Sequence, residues 1–387
     1  MLDFGHIVAG PFCARMIADL GADVVKVETA TRQGRTGARR GADSGAHGRT
    51  PLLAHINRNR RSIDLNLKTD RGRDIARALI DAADILVENF SSSVMDRLGL
   101  GYEEVTKTNP RLIYASMSAY GHAGPRNSWT GMNVNLQAYS GMMMATGGPN
   151  DPPIGIANSW NDYIGGLHAA VAITGALSKR QETGKGCHID LSQFESSVSM
   201  LGSLVIASAV TGKAPERIGS RSYSAAPQGC YPCAGADQWC VISVQNDAEW
   251  KALLAEMGAD MAGLNDARFA TLAGRQQHHD QIDAALSVWT RSLAPSEVES
   301  RLRTRGVAAS AARRAQELTE VKEWSEVLHP MDGSGEMTVG VPFRFTGSTP
   351  VEMKLAPRMG QHGAEVLRDW LGFDEAAIRD FMGEVAA

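Results

Sequence analysis

The chain has 387 residues, enough for a full hydrophobic core and for two domains. Its 43% hydrophobic and 21% charged residues are ordinary for a globular protein, and a net charge of −4 lacks the basic footprint of a general nucleic-acid binder. No apolar run approaches transmembrane length, the N-terminus has no basic-then-apolar signal pattern, and five scattered cysteines fit a reduced protein better than a disulfide scaffold. These features predict a cytoplasmic protein with neither a nucleic-acid nor a membrane partner.

Met1 to Glu28 reads as strand, helix, strand. Leu2–Phe4 and Val24–Val27 are short apolar runs, Pro11 can open the helix between them, and Gly21 can close it. A βαβ unit implies a parallel sheet. Gly5 and Gly10 are too far apart for a Gly-x-Gly-x-x-Gly fingerprint, so a nicotinamide site is not supported. The first strand starts at residue 2 with no lead-in, so a few further residues ahead of it would be no surprise.

Residues 29–50 form a loop rich in glycine and arginine (Arg32, Arg35, Arg39, Arg40, Arg49), and Arg58, Arg60 and Arg61 follow. Such clusters are usually solvated charge; the functional reading is a seat for phosphates. Ile63–Leu67 is then a strand, Asp70–Ala82 an amphipathic helix, and Ile85–Glu88 a buried strand ending in Asn89-Phe90. Polar and aromatic residues at the carboxyl end of a parallel strand sit where open α/β sheets bind ligands. A helix then leads to the strand Leu112–Met117, a loop covers Gly121–Asn127, and a helix over Asn133–Ala145 carries three methionines.

The most informative stretch runs from Ile154 to Glu195. Ile164, Leu167, Val171, Thr174 and Leu177 recur at three- and four-residue steps, which predicts a helix with one apolar face. Gly165 and Gly166 leave its first turns room for a close neighbour. Asp162 stands at its start. From spacing alone Asp162 reads first as an N-cap, and second as a carboxylate nucleophile able to form a covalent intermediate. The helix stops at Thr183-Gly184, Cys187–Leu191 is a strand, and Ser192-Gln193-Phe194-Glu195 has capping-box form and opens a helix to about Val210.

The pattern changes near Gly212. A hairpin of Gln228–Cys233 and Trp239–Val244, helices near Ala248–Met257, Gln281–Leu293 and Ser296–Arg303, and a strand at Val307–Ala309 predict a small α+β domain over 213–335. Residues 336–387 end in two amphipathic helices and are expected to return to the 1–212 domain. Cys230-Tyr231-Pro232-Cys233 lies in the hairpin, away from the helix start that a redox pair needs, and no second pair offers zinc. His278-His279 has no metal-ligand spacing, and His168 reads as a packing residue.

Several long motifs in order carry a family resemblance: LDFGHIVAGPFCARMIADLGADVVKVE, NRNRRSIDLNLK, ADILVENF, NPRLIYASMSAYGHAGP and DYIGGLHAAVAITGALSKRQETGKGCHIDLSQFE. VPFRF and APRMGQHGAEVL in the tail add to them. Together these resemble the family III CoA-transferases, the formyl-CoA transferase and carnitine CoA-transferase group, over nearly the whole chain and least over 213–335.

The resemblance implies an α/β fold: a Rossmann-like large domain with a parallel sheet, a smaller α+β domain, and a ring-like chain in an interlocked homodimer. It puts the catalytic aspartate on Asp162, with aspartyl anhydride and aspartyl-CoA intermediates. No permanently bound cofactor or metal is implied; coenzyme A and acyl-CoA enter as substrates with a carboxylic acid. Residue by residue, the CoA contacts fall on Ile7, Val8 and Ala9, on Leu65, Asn66 and Lys68, on Asn89, Phe90 and Ser91, and on Arg97. Thr29, Thr130, Met132 and Asn133 depart from the formyl-CoA transferase pattern, and that enzyme's glycine-rich loop has no counterpart. The same family holds α-methylacyl-CoA racemases, which pair a histidine and an aspartate. Methionine occupies that histidine's position at Met132, which makes racemisation the alternative, with His122 the nearest substitute. A CoA-binding protein without turnover and a thiol-redox protein using Cys230 and Cys233 are the readings outside this class.

Overall fold

The structure, a computed structural model, describes residues 1–29, 51–258, 263–320, 328–330, 337–343, 345–347 and 351–386. The chain begins β1 (Leu2–Asp3), α1 (Ala9–Asp19), β2 (Val25–Glu28), α2 (Pro51–Ile56), β3 (Arg61–Asp64), α3 (Asp70–Asp81) and β4 (Ile85–Glu88). It continues α4 (Val94–Arg97), α5 (Tyr102–Val105), β5 (Ile113–Ser118), α6 (Asn133–Tyr139), α7 (Met142–Ala145), α8 (Trp160–Thr183), β6 (Cys187–Ser192), α9 (Gln193–Met200) and α10 (Gly202–Thr211). Then come β7 (Gln228–Pro232), β8 (Trp239–Ser243), α11 (Asp247–Met257), α12 (Leu272–Gln277), α13 (His279–Thr290), α14 (Pro295–Thr304) and β9 (Ala308–Ala311). The tail holds β10 (Leu328–Pro330), β11 (Met337–Val339), α15 (Gly363–Leu371) and α16 (Glu375–Ala386).

Two compact units result. The larger takes Met1–Met143, Gly155–Gly212 and Ser325–Ala387; the smaller takes Met144–Ile154 and Lys213–Trp324.

In the larger unit six strands pair in the order β3-β2-β1-β4-β5-β6, all parallel. Successive residues of the strands supply alternate faces, as pleating requires. Leu86, Leu112 and Tyr114 face a core that α3, α15 and α16 cover with Ile75, Leu79, Val366, Leu367 and Phe381. Ile85, Val87, Ile113 and Ala115 face a second core covered by α1 and α8 through Ala9, Cys13, Ile17, Ala169 and Ile173. The order turns back between β1 and β4, which is the doubly wound arrangement, and it opens a crevice at the carboxyl ends of those two strands.

Charged side chains brace this sheet from inside. Arg58, fully buried, grips Asp19 with two nitrogens, at 3.1 and 2.6 Å, and reaches Thr338 and the Val339 carbonyl. Arg60 binds Asp3 and donates to the Pro11 and Ile56 carbonyls, while Arg61 pairs with Asp23 and Asp369. The three arginines are therefore struts, neither solvated charge nor a phosphate seat. Arg32, Arg35, Arg39, Arg40 and Arg49 lie outside the described residues.

In the smaller unit β7, β8 and β9 form an antiparallel sheet, packed by Trp250, Leu253, Ile282, Leu286, Val298 and Leu302. Cys230 faces out of this sheet, while Cys233 and Cys240 are buried in the core. Among the described residues no single helix is long and apolar enough to cross a membrane.

Candidate active site

The crevice is built from the loops that leave β1 and β4. Asn89 ties them together: its side-chain oxygen accepts the His6 N–H at 2.6 Å and its amide donates to the His6 carbonyl at 2.9 Å. Asp3 supports the loop from below, accepting the Gly5 N–H at 2.7 Å, while Lys26 donates to the Gly5 carbonyl at 2.8 Å. Gly5 and Gly10 are forced small, because a Cβ on Gly5 would lie 2.8 Å from the Gly10 Cα. Ile7 then takes a left-handed backbone (φ 62°), rare for a β-branched residue, and stands exposed over the loop.

The residues expected to meet CoA fall around this crevice with unequal freedom. Val8 and Ala9 are buried, so what they can offer a ligand is backbone at the start of α1. Leu65 is a core residue; Asn66 accepts the Lys68 N–H, and the exposed Lys68 ammonium has no partner among the described residues. Phe90 stacks edge-on against His6 with centroids 4.8 Å apart. Ser91 and Arg97 are exposed, and Arg97 donates to the Ser93 hydroxyl at 2.5 Å. Six of these surroundings (Phe4, His6, Leu65, Asn66, Lys68 and Phe90) line a cavity of about 70 Å³ that Thr29 also borders. A larger cleft of about 820 Å³, lined by Asp23, Arg61, Lys354 and His362, lies at the opposite, amino ends of β2 and β3.

Asp162 reaches the same end of the sheet through helix packing. A Cβ on Gly166 would lie 2.8 Å from the Phe12 ring and 3.0 Å from the Ala9 carbonyl oxygen, so α1 and α8 touch backbone to backbone there. Gly165 is held equally small by Gln193 of α9. Asp162 lies one turn before Gly166 on the same helix face, which carries it past the start of α1. Tyr163 beside it packs edge-on against Phe12 at 4.7 Å.

Asp162 is not the N-cap. Ser159 holds that position in α8, without a side-chain capping hydrogen bond, and both Asn158 and Ser159 are left-handed (φ 66° and 54°). The first-turn N–H of Asn161 is accepted by Asn133 at 3.3 Å, and the Asp162 N–H by the Ser159 carbonyl at 2.9 Å. A capping carboxylate titrates low; here half-burial pushes Asp162 up to about 6, and it makes no ion pair with the described residues. A carboxylate without a counter-ion, ionised at neutral pH and poorly solvated, is a competent nucleophile.

Neither position supplies a free second acid–base group. Met132 is exposed just ahead of α6, and the two His122 ring nitrogens face Glu88 at 3.5 Å and Asp190 at 3.2 Å. Spacing along the chain gave no sign of this Glu88–His122–Asp190 set; a glutamate closing a buried strand was the available hint. No group of three His, Cys, Asp or Glu among the described residues is placed to hold a metal.

Comparison with known proteins gives the family of the chain. The family model for CoA-transferase family III matches residues 1–363. The chain belongs to CoA-transferase family III.

It is 33% identical over 377 residues to acetyl-CoA:oxalate CoA-transferase of Acetobacter aceti, covering 96% of this chain and 94% of that one. It is 31% identical to succinyl-CoA–D-citramalate CoA-transferase of Chloroflexus aurantiacus, covering 97% and 94%. The crystal structure of a CaiB/BaiF family protein from Brucella suis superposes with a TM-score of 0.87 at 28% identity, covering 95% of this chain and 97% of that one. The α/β fold, with its six-stranded parallel sheet and smaller antiparallel sheet, is the fold of that structure. As a family III CoA-transferase, the enzyme takes CoA thioesters as substrates and transfers CoA to an acid.

Proposed function

We propose that this CoA-transferase works through Asp162. The observation that carries the reading is a half-buried carboxylate, free of ion pairs among the described residues and raised to about 6, at the carboxyl end of a doubly wound sheet. The Asp162 carboxylate attacks the thioester carbonyl of an acyl-CoA and expels CoA thiolate, leaving a mixed anhydride. The thiolate attacks the aspartyl carbonyl and releases the donor acid, leaving an aspartyl-CoA thioester. The acceptor carboxylate attacks that thioester and frees the thiolate again. The thiolate then takes the acceptor's acyl carbon, which forms the new acyl-CoA and restores Asp162. One thioester replaces another, so the protein need supply position, exclusion of water and oxyanion donors.

In this reading CoA lies along the crevice. The backbone of Ile7, Val8 and Ala9 meets the nucleotide, and the cavity bounded by Leu65, Asn66 and Phe90 receives the adenine. Asn89 holds the β1 and β4 loops in register, Ser91 lines the turn, and the ammonium of Lys68 and guanidinium of Arg97 attract phosphate. Trp160 and Tyr163, flanking Asp162, favour a moderately bulky or dicarboxylic acid, and dicarboxylates are the natural first panel because the named relatives act on oxalate and D-citramalate.

The functional particle is an interlocked homodimer. Its support is α10, an apolar helix in which none of the ten residues is buried, with Ile206 65% and Val210 81% exposed. An apolar helix exposed on all sides needs a cover. A cytoplasmic setting accords with five free thiols.

The racemase alternative gains nothing here: methionine at 132 moves no proton, and His122 is held between two carboxylates. The test is exchange between acetyl-CoA or succinyl-CoA and labelled acids, followed by chromatography of the CoA esters. Wild type is expected to form a new ester with at least one acid and Asp162→Asn with none; exchange surviving in a folded Asp162→Asn protein rejects the mechanism.

A further inference from the structure

A second set of side chains at the carboxyl ends of β4, β5 and β6 takes no part in the transfer steps. Glu88, the last residue of β4, is 1% exposed. One of its oxygens accepts the Phe90 N–H at 2.8 Å, which fixes the turn that carries Asn89, Phe90 and Ser91. The other lies 3.5 Å from His122 Nε2. His122 Nδ1 lies 3.2 Å from Asp190, whose two oxygens also accept the His122 backbone N–H at 2.9 and 3.0 Å.

A neutral imidazole has one N–H to donate. With a carboxylate before each ring nitrogen, the Glu88–His122 pair is satisfied only while it holds one extra proton. Held on the Glu88 carboxyl, that proton leaves the ring N–H for Asp190. Removing it sets a ring lone pair against a buried carboxylate, which is costly at this degree of burial. The other titratable groups around the pair are His188 of β6, whose Nε2 meets the Ser116 hydroxyl at 3.0 Å, together with Tyr114 of β5, Asp96 of α4 and Glu103 of α5. Ser116 also hydrogen-bonds Glu88, and burial pushes the Glu88 carboxyl up.

We propose that His122 is a positioning residue for coenzyme A: bridged to Glu88 and Asp190, it holds the turn at residues 89–91 in the shape that receives a CoA thioester, and loss of the proton from the Glu88 carboxyl that faces it loosens that turn. The ring touches no reacting atom. Its effect passes through Glu88 to the Phe90 N–H, and from there to the Asn89–His6 clasp that joins the two loops of the crevice. The inference rests on the transferase reading in one respect, that CoA is what the turn receives.

The test is calorimetric titration of free coenzyme A into the full chain across the neutral and alkaline range, with His122→Gln and His122→Ala beside wild type. Glutamine offers the Glu88 carboxylate a side-chain N–H at every pH. Wild-type affinity is expected to fall as pH rises, and that of His122→Gln to stay level. His122→Ala should bind about tenfold more weakly throughout, the size of one charge-assisted hydrogen bond. In turnover the loss should appear in KM for acetyl-CoA rather than in kcat. His122→Gln retaining the wild-type pH dependence, or folded His122→Ala binding as wild type does, overturns the proposal. Tight CoA binding without transfer would remove the Asp162 mechanism and leave this test readable; no binding by wild type at any pH would remove both.

Discussion

Gly166 of α8 and Ala9 of α1 meet so closely that a methyl group at position 166 would lie 3.0 Å from the Ala9 carbonyl oxygen and 2.8 Å from the Phe12 ring. That contact sets the distance between α8 and the loop that starts α1, and so sets where Asp162 stands relative to the crevice. Gly166→Val is expected to push the helices apart. The overpacking should cost about 1–3 kcal/mol of stability, and a displacement of about 1 Å at the nucleophile about a hundredfold in kcat. Denaturant unfolding and steady-state kinetics on the same preparation separate the two effects.

Asp162 trades stability for reactivity. Its folded carboxyl titrates at about 6, above the ordinary 3.8, so the folded state holds the proton more tightly than the unfolded chain. Its ionised form therefore costs stability in full above about pH 6; the cost shrinks as pH falls toward 4 and is gone below it. Asp162→Asn should raise stability at pH 7 by up to about 3 kcal/mol. At pH 4 the gain should be close to nothing. Thermal unfolding at both pH values checks the sign.

The same titration governs turnover. A protonated carboxyl cannot attack a thioester, so kcat/KM for the acyl-CoA should fall on the acid side with a midpoint near 6, where burial places the group. An acid limb near 4 would mean that the nucleophile is a solvated carboxylate elsewhere.

Arg58 and Lys68 offer a contrast between strut and ligand contact. Arg58→Ala removes the two-pronged partner of the buried Asp19 carboxylate, leaves it only Arg15 at 3.4 Å and Asn59 at 2.6 Å among the described residues, and should cost about 3 kcal/mol. KM for CoA thioesters should not change in the protein that remains folded. Lys68→Ala should leave the unfolding midpoint alone and raise that KM. Reversed results would restore the phosphate-seat reading of the 58–61 cluster.

For the homodimer, Ile206→Glu or Val210→Glu places a charge on an apolar helix in which the described residues of the chain bury no position. Either change should shift sedimentation from dimer toward monomer. A wild type that sediments as a monomer rejects the interlocked assembly.

The parts of the fold that the sequence made legible are those in which local pattern and tertiary environment agree. Ile85–Glu88 is apolar throughout and is a central strand with its apolar residues shared between two cores. The helix after Asp162 forms, but the stripe expected along it is not the covered face: Leu167 and Val171 are 44% and 74% exposed, while α1 and the sheet cover Ala169, Ala170 and Ile173. Strand β3 was expected two residues late, since Arg61 and Ser62 look like loop; Asp23, Asp369 and Glu28, distant in sequence, satisfy them in place. The helix expected over 133–145 breaks at Gly141 (φ 87°), and the one from 193 to 210 bends by 68° near Leu201. Pro51–Ile56 was missed because it is a single short helix beside an arginine-rich loop. At the site, Asp162 was legible as a carboxylate at a helix start but not as the third residue behind a Ser159 cap. The Glu88–His122–Asp190 set joins residues up to 102 positions apart, and only the sheet brings them together.

The most direct measurement is peptide mass spectrometry of the wild-type chain quenched in acid after mixing with acetyl-CoA or succinyl-CoA. A CoA adduct on the peptide that holds Asp162, removed by borohydride and absent from Asp162→Asn, is the predicted result. New CoA ester formed with no adduct on that peptide at any quench time, or an adduct that persists in Asp162→Asn, would contradict the account.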